Sequence, residues 1–236
     1  MSSFWLKIFA LIFMIIDHAG FIFFPNTIWF RIIGRLAFPL FAYQMAVGYS
    51  HTQNRNAHIL KLLLFGILVQ IPYTLMLNLY EINFNLNIIF TFVLGLLLIN
   101  LLENFQKERK AFILEKSHSL LRIFNLVLSL FLGVSLVILG VFLKVDYTWY
   151  GILLTAGFYF TLHNKLLTCV FFLVLVTLNI VISQNLMSLL GCLGIFDLFF
   201  ILAFNGKKGY HKSWPFYLIY LLHFGILLGI HQLFIV

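Results

Sequence analysis

Apolar runs of about 20 residues, separated by short polar breaks, recur from one end of the chain to the other. A run of that length crosses a hydrocarbon core of about 30 Å as a helix. No other spanning form satisfies the backbone of a single segment in lipid, so each run reads as a transmembrane helix. Nine such spans fall at about 4–24, 28–50, 58–79, 86–102, 123–143, 148–162, 165–183, 186–204 and 215–235. The fold class expected is all-α, a polytopic integral membrane helical bundle, with residues 1–236 forming a single transmembrane domain. Composition agrees, since 63% of the residues are hydrophobic and 9% charged, against about 45–50% and 25% in a soluble domain. The first run follows one lysine, Lys7, and ends in "FFPN" with no small-residue cleavage site, so it reads as a retained span.

Lys and Arg collect in cytoplasmic loops. With the N-terminus cytoplasmic, only Arg31, Arg35 and Lys144 fall outside the inner segments, which leaves 12 of the 15 basic residues inside. The high positive charge is therefore topology, and no nucleic-acid partner is implied. A multi-pass protein of a bacterial cytoplasmic (inner) membrane is expected. The polar stretch "LENFQKERKAFILEKSHSLLR" reads as an amphipathic or solvated cytoplasmic connector, and no inverted repeat is visible. Cys169 and Cys192 read as packing residues. His51 and His58 lie at a loop, and no metal-ligand spacing occurs among the histidines.

Ionisable groups inside the runs carry the functional information. A charged side chain near the bilayer centre costs at least about 2.5–3.5 kcal/mol, so such groups face a cavity and hold a partner. In "IFMIIDHAGFIFFP", Asp17 and His18 are neighbours about 100° apart around the helix, so each meets something different. In "FRIIGRLAFPLFAYQMAVGY", Arg31 and Arg35 stand one turn apart at matching depth. Asp17 is expected to pair with one of them, which leaves His18 free to titrate. Gly34 is expected to admit a close neighbour, and Pro39 to kink the helix and free the carbonyl of Arg35. The plain alternative is an arginine at the interface and a structural bridge.

Three further groups are candidates. "KVDYTWYGI" places Asp146 and Tyr147 at an outer loop edge with Tyr150 one turn on, as binding residues or as a helix cap with interfacial aromatics. "WPFYLIYLLHFGI" sets Tyr217, Tyr220 and His223 every third residue, a polar stripe that is either functional or packing. "YEINFNLNIIFTFVLG" brings Asn87 to the fourth span, to line the cavity or to hydrogen-bond between helices. Asp197, in the eighth span, is a candidate to line a path from the cytosol.

These segments, "LKIFALIFMIIDHAG", "RIIGRLAFPLFAYQMAVGY", "NIIFTFVLGLL", "VDYTWYGIL" and "NGKKGYHKSWPFYLIYLLHFGIL", resemble in order the motifs of the TraX family. The family's named member acetylates the N-terminus of conjugative pilin, and the family is distantly similar to polytopic acyl-CoA-dependent acyltransferases. The resemblance implies an acyltransferase-like domain. It would move an acetyl group from cytoplasmic acetyl-CoA, the donor substrate, to a peptide amine or glycan acceptor beyond the membrane, with no metal. It implies a pore with the nucleotide at its inner mouth, where "NGKKGYHK" offers Lys207, Lys208 and Lys212 to the phosphates, although positive-inside bias alone also explains them. His18 is the implied general base, acting directly or through an acetyl-histidine. Arg35, Tyr150 or Tyr220 would stabilise the oxyanion, Asp17 would fix Arg35, and His223 would be a second proton carrier. A proton-coupled transporter using the same groups as a relay is the alternative.

Overall fold

The computed structural model describes residues 1–114, 120–184, 190–210 and 214–234. It is all-α. The helices are α1 (Ser3–Phe23), α2 (Ile28–Gly34), α3 (Ala37–Ser50), α4 (Arg55–Asn78), α5 (Ile88–Leu114), α6 (Leu120–Phe142), α7 (Thr148–Thr161), α8 (Lys165–Ser183), a 3-10 helix (Gly191–Phe196), α9 (Asp197–Leu202) and α10 (Trp214–Phe234). Among the described residues six helices, α1, α4, α5, α6, α8 and α10, are long and apolar enough to cross a membrane.

The expected nine spans therefore need correction. The run at 28–50 is two helices with a break at Arg35 and Leu36. Pro39 has no N–H to give the carbonyl of Arg35, so the helix restarts at Ala37 with Pro39 in the first turn, where the missing donor is harmless. The described part of the run at 186–204 is the 3-10 helix followed by the six-residue α9. Two glycines, Gly191 and Gly194, each about 1 kcal/mol worse than alanine in a helix, lie in that stretch. The fourth run does not stop at 102 but continues as α5 into the polar connector.

Helix α3 is the centre of the bundle. It packs on α1 and α7, which in turn lie against α10 and against α5 and α8. Phe38, Leu40, Ala42, Ala46 and Tyr49 of α3 and Ile152, Leu154 and Phe158 of α7 are buried. At 14 residues each, these two helices reach about 21 Å, and protein surrounds them on most sides. By contrast α6 exposes Phe124, Val127, Phe131, Val134, Ile138 and Phe142, the pattern of a helix facing lipid.

Two connectors matter for the site. Leu86 N–H donates to Lys144 O at 3.2 Å and Asp146 N–H to Leu86 O at 2.9 Å, which pins the α6–α7 loop to the start of α5. Tyr147 and Thr148 then turn with positive φ of 59° and 41°, a conformation rare for bulky or β-branched residues. At the other end, Ser3 and Phe4 N–H donate to the carbonyls of Lys207 (2.9 Å) and Lys208 (3.2 Å), which holds the α9–α10 loop against the start of α1.

Candidate functional site

Asp17 and His18 face the interior of the bundle in different directions. Asp17 Oδ2 accepts from Arg31 Nη1 at 2.9 Å, and Arg31 also lies over the Phe21 ring at 5.6 Å. This approach depends on Gly34, where a Cβ would overlap the Asp17 side chain. The other oxygen, Oδ1, is buried and accepts no hydrogen bond among the described residues.

Asp17 does not hold Arg35, which is a correction. The break after α2 sends the second guanidinium to the α6–α7 loop, where Arg35 Nη1 donates to Tyr147 Oη at 3.1 Å and lies 5.6 Å from its ring centroid. The Tyr147 ring stacks on Phe38 with centroids 3.8 Å apart. Asp146 Oδ1 accepts from Tyr147 N–H at 3.1 Å. Burial pushes the Asp146 carboxyl up to about 6, against the opposing pull of Arg35.

His18 is not free either. Its Nδ1 lies 2.8 Å from His223 Nε2, with the rings nearly parallel and centroids 5.1 Å apart. One imidazole donates and the other accepts, so a single proton occupies the space between them. Phe224 and Tyr220 wall the pair, at 4.9 Å from His18 and 5.5 Å from His223 respectively. The stripe on α10 thus faces inward, with Tyr217 against Phe65 at 4.9 Å.

Two cavities meet here. A small chamber of about 50 Å³ is lined by Asp17, His18, Gly34, Asp146, Tyr147 and Tyr73 together with the apolar Met14, Ala37, Phe38 and Ile88. A larger vestibule of about 650 Å³ opens where α1, α4 and α10 begin, and Lys7, Lys61, Lys207, Lys208, His51 and His58 line it together with Gln44 and Tyr217. Phe41 and Tyr220 line both.

Several candidate residues lie elsewhere. Asn87 is buried as a structural link, donating to Gly66 O (2.8 Å) and Gln70 Oε1 (2.9 Å) while its Oδ1 caps α5 through Ile89 N–H (3.0 Å). Tyr150 is buried against Phe38 and Tyr147 and lines neither cavity. Asp197 is fully buried, with neither oxygen hydrogen-bonded among the described residues, and lines neither cavity. Lys212 lies outside the described residues.

Sequence reasoning missed Lys7, Lys61, His51 and His58 as vestibule walls, because each had a sufficient role as a positive-inside or loop residue. It also missed a clamp in which Arg55 pairs with Glu103, whose Oε1 accepts from Tyr159 Oη at 2.5 Å. That clamp ties α4, α5 and α7 together.

A family model described as "TraX protein" matches residues 2–231. A curated relative, "Probable fimbrial assembly protein FimC, serogroup H1" of Dichelobacter nodosus, is 33% identical over 108 residues, which are 41% of this chain and 44% of that protein. The matched stretch thus spans less than half of that relative's length. No solved structure matches the chain.

Proposed function

The chain belongs to the TraX family, and from that premise we propose that it is a membrane acetyltransferase that takes its acetyl group from acetyl-CoA and delivers it to an amine on the far side of the membrane. The observation that carries this reading is the basic vestibule ending, at Phe41 and Tyr220, against a chamber lined by His18, whose imidazole pairs with that of His223. Under the orientation that the basic residues favour, the vestibule faces the cytoplasm, where the donor is. Lys7, Lys61, Lys207 and Lys208 are then the contacts for the nucleotide phosphates, since ammonium groups serve as point charges for phosphate.

The flexible arm of the coenzyme would pass Phe41 and Tyr220 and present its thioester carbonyl in the chamber. The acceptor nitrogen attacks the carbonyl carbon, a C–N bond forms and the C–S bond breaks. In the tautomer in which His18 Nδ1–H donates to His223 Nε2, His18 Nε2 is unprotonated; it takes the proton from the acceptor nitrogen and passes it to the departing thiolate. Such positioned bases are typically worth about 10²–10⁴ in rate. Tyr147 accepts from Arg35 and so keeps its own proton to donate to the oxyanion, a place expected from the sequence for Arg35, Tyr150 or Tyr220. Preorganised donors of this kind act strongly in a dry site.

Asp17 Oδ1 favours an amine over a hydroxyl as acceptor. It is a buried oxygen of the chamber wall without a hydrogen bond among the described residues, and an amine brings more N–H donors than one hydroxyl can. The name of the fimbrial relative and the family resemblance point the same way, toward the N-terminus of a pilin or other secreted peptide. A cell-surface glycan is the other acceptor class.

The test is thermal stability of the detergent-purified chain with coenzyme A and acetyl-CoA. A ligand that binds only the folded state at 100 times its dissociation constant stabilises by about 2.7 kcal/mol. Stabilisation that is lost on replacing Lys207 and Lys208 by alanine supports the reading. A chain that responds to neither compound would fit a permease instead.

A further inference from the structure

We infer that Phe41 and Tyr220 set the length of the acyl group this site accepts, so that the chamber admits acetyl and rejects longer acyl chains. The inference rests on reading the vestibule as a coenzyme A site, and it adds a selection step which that reading does not contain.

Among the described residues, Phe41 of α3 and Tyr220 of α10 are the side chains that line both cavities. Their rings meet edge to face with centroids 6.4 Å apart. Each is held from behind. Tyr220 rests on Phe65 at 5.9 Å and on His223 at 5.5 Å. Phe41 packs on a small apolar cluster of Leu11, Met14 and Ala37, which also receives Tyr220 and stands apart from the main core. The constriction is therefore built from four helices, α1, α3, α4 and α10, and its two rings are not loose surface groups.

Beyond it the space drops from about 650 Å³ to about 50 Å³. A water needs about 10–15 Å³ of such space, so the chamber holds roughly four waters, or the three heavy atoms of an acetyl group next to a thioester sulfur. Two or four further methylenes exceed that space. Met14, Ala37 and Phe38, all buried, line the chamber with packed apolar side chains, and cores of this kind yield little to added volume. A longer acyl chain must then stay in the vestibule, with its carbonyl short of His18. Discrimination by a tight apolar wall typically runs at about 10–200-fold per methylene.

The experiment measures apparent dissociation constants of coenzyme A, acetyl-CoA, butyryl-CoA and hexanoyl-CoA from the concentration dependence of the thermal midpoint of the purified full chain. The wild type is expected to bind hexanoyl-CoA at least about 10-fold more weakly than acetyl-CoA. Phe41→Ala is expected to bring the two within about threefold, each read as a ratio to the same protein's constant for coenzyme A. Phe41→Leu, which keeps apolar bulk and guards against a variant that fails to fold, should shift the ratio the same way by less. Equal binding of all acyl-CoAs by the wild type, or a ratio that neither variant moves, would overturn the inference and leave the coenzyme site standing. No response of the wild type to any of the four compounds would overturn both.

Discussion

Replacing Gly34 by alanine puts a methyl group where the Asp17 side chain already sits. The built Cβ overlaps the Asp17 carboxylate and its Cβ, and the chain there is a helix end packed against α1, so no flexible tip can swing aside. Forcing one methyl group into packed structure costs about 1–3 kcal/mol. Splaying α1 from α2 also lengthens the Asp17–Arg31 bridge, and losing one partner of a buried pair costs about 3–5 kcal/mol. With the two side chains 23% and 17% exposed, only part of that applies. A net loss of about 2–4 kcal/mol follows from these two terms, along with loss of acetyl transfer. Gly229→Ala is the control, because nothing lies within 4 Å of its built Cβ and alanine is the better helix former by up to about 1 kcal/mol. Thermal unfolding of the two purified variants beside the wild type decides the matter. A Gly34→Ala protein as stable and as active as Gly229→Ala would refute the close approach and the Asp17–Arg31 pairing that depends on it.

Tyr147→Phe keeps the stack on Phe38 and removes the hydroxyl that accepts from Arg35; turnover is expected to fall about 10²–10³-fold with little change in unfolding temperature, and unchanged turnover would remove Tyr147 from the oxyanion site. Asp197→Leu replaces a fully buried carboxyl whose oxygens lack hydrogen bonds among the described residues by an apolar group of similar size, so stability should rise by about 1–3 kcal/mol; a stable variant without acetyl transfer would show that the carboxyl works in the reaction. Asp146, raised from an ordinary value near 3.8 to about 6, binds its proton more tightly folded than unfolded, so its share of stability falls as pH rises from about 4 to 6. Asp146→Asn should flatten that part of the stability profile, and an unaltered profile would contradict the burial assigned to the carboxyl.

Features decided by one or two neighbouring turns were legible in the sequence. Asp17 needed a cation at its own depth, and Arg31 lies one hairpin away. Gly34 stood between the arginines where a close approach is useful, and Pro39 announced a break through its missing N–H. What escaped depends on distant chain segments. His18 and His223 are 205 positions apart, and periodicity on α10 placed His223 on a polar stripe without naming what it faced. Counting apolar residues also cannot tell a helix that faces lipid from one wrapped in protein. Helices α3 and α7 are apolar but less so than α1, and they are buried by neighbours, so they read as spans in the sequence although they are too short to count among the six long apolar helices of the described residues. Lys207 and Lys208 were legible as candidate phosphate contacts, whereas Lys7 and Lys61 were visible only as topology signals, because the convergence of the four requires the α9–α10 loop to be fastened to the start of α1.

The central claim is that the imidazole of His18 performs acetyl transfer. Mass spectrometry of secreted peptide N-termini and surface glycans, from cells carrying the wild-type chain or His18→Ala at equal membrane abundance, tests it most directly. The account predicts that one acetyl mark disappears with the His18→Ala protein still inserted and folded. An undiminished mark in those cells would contradict it.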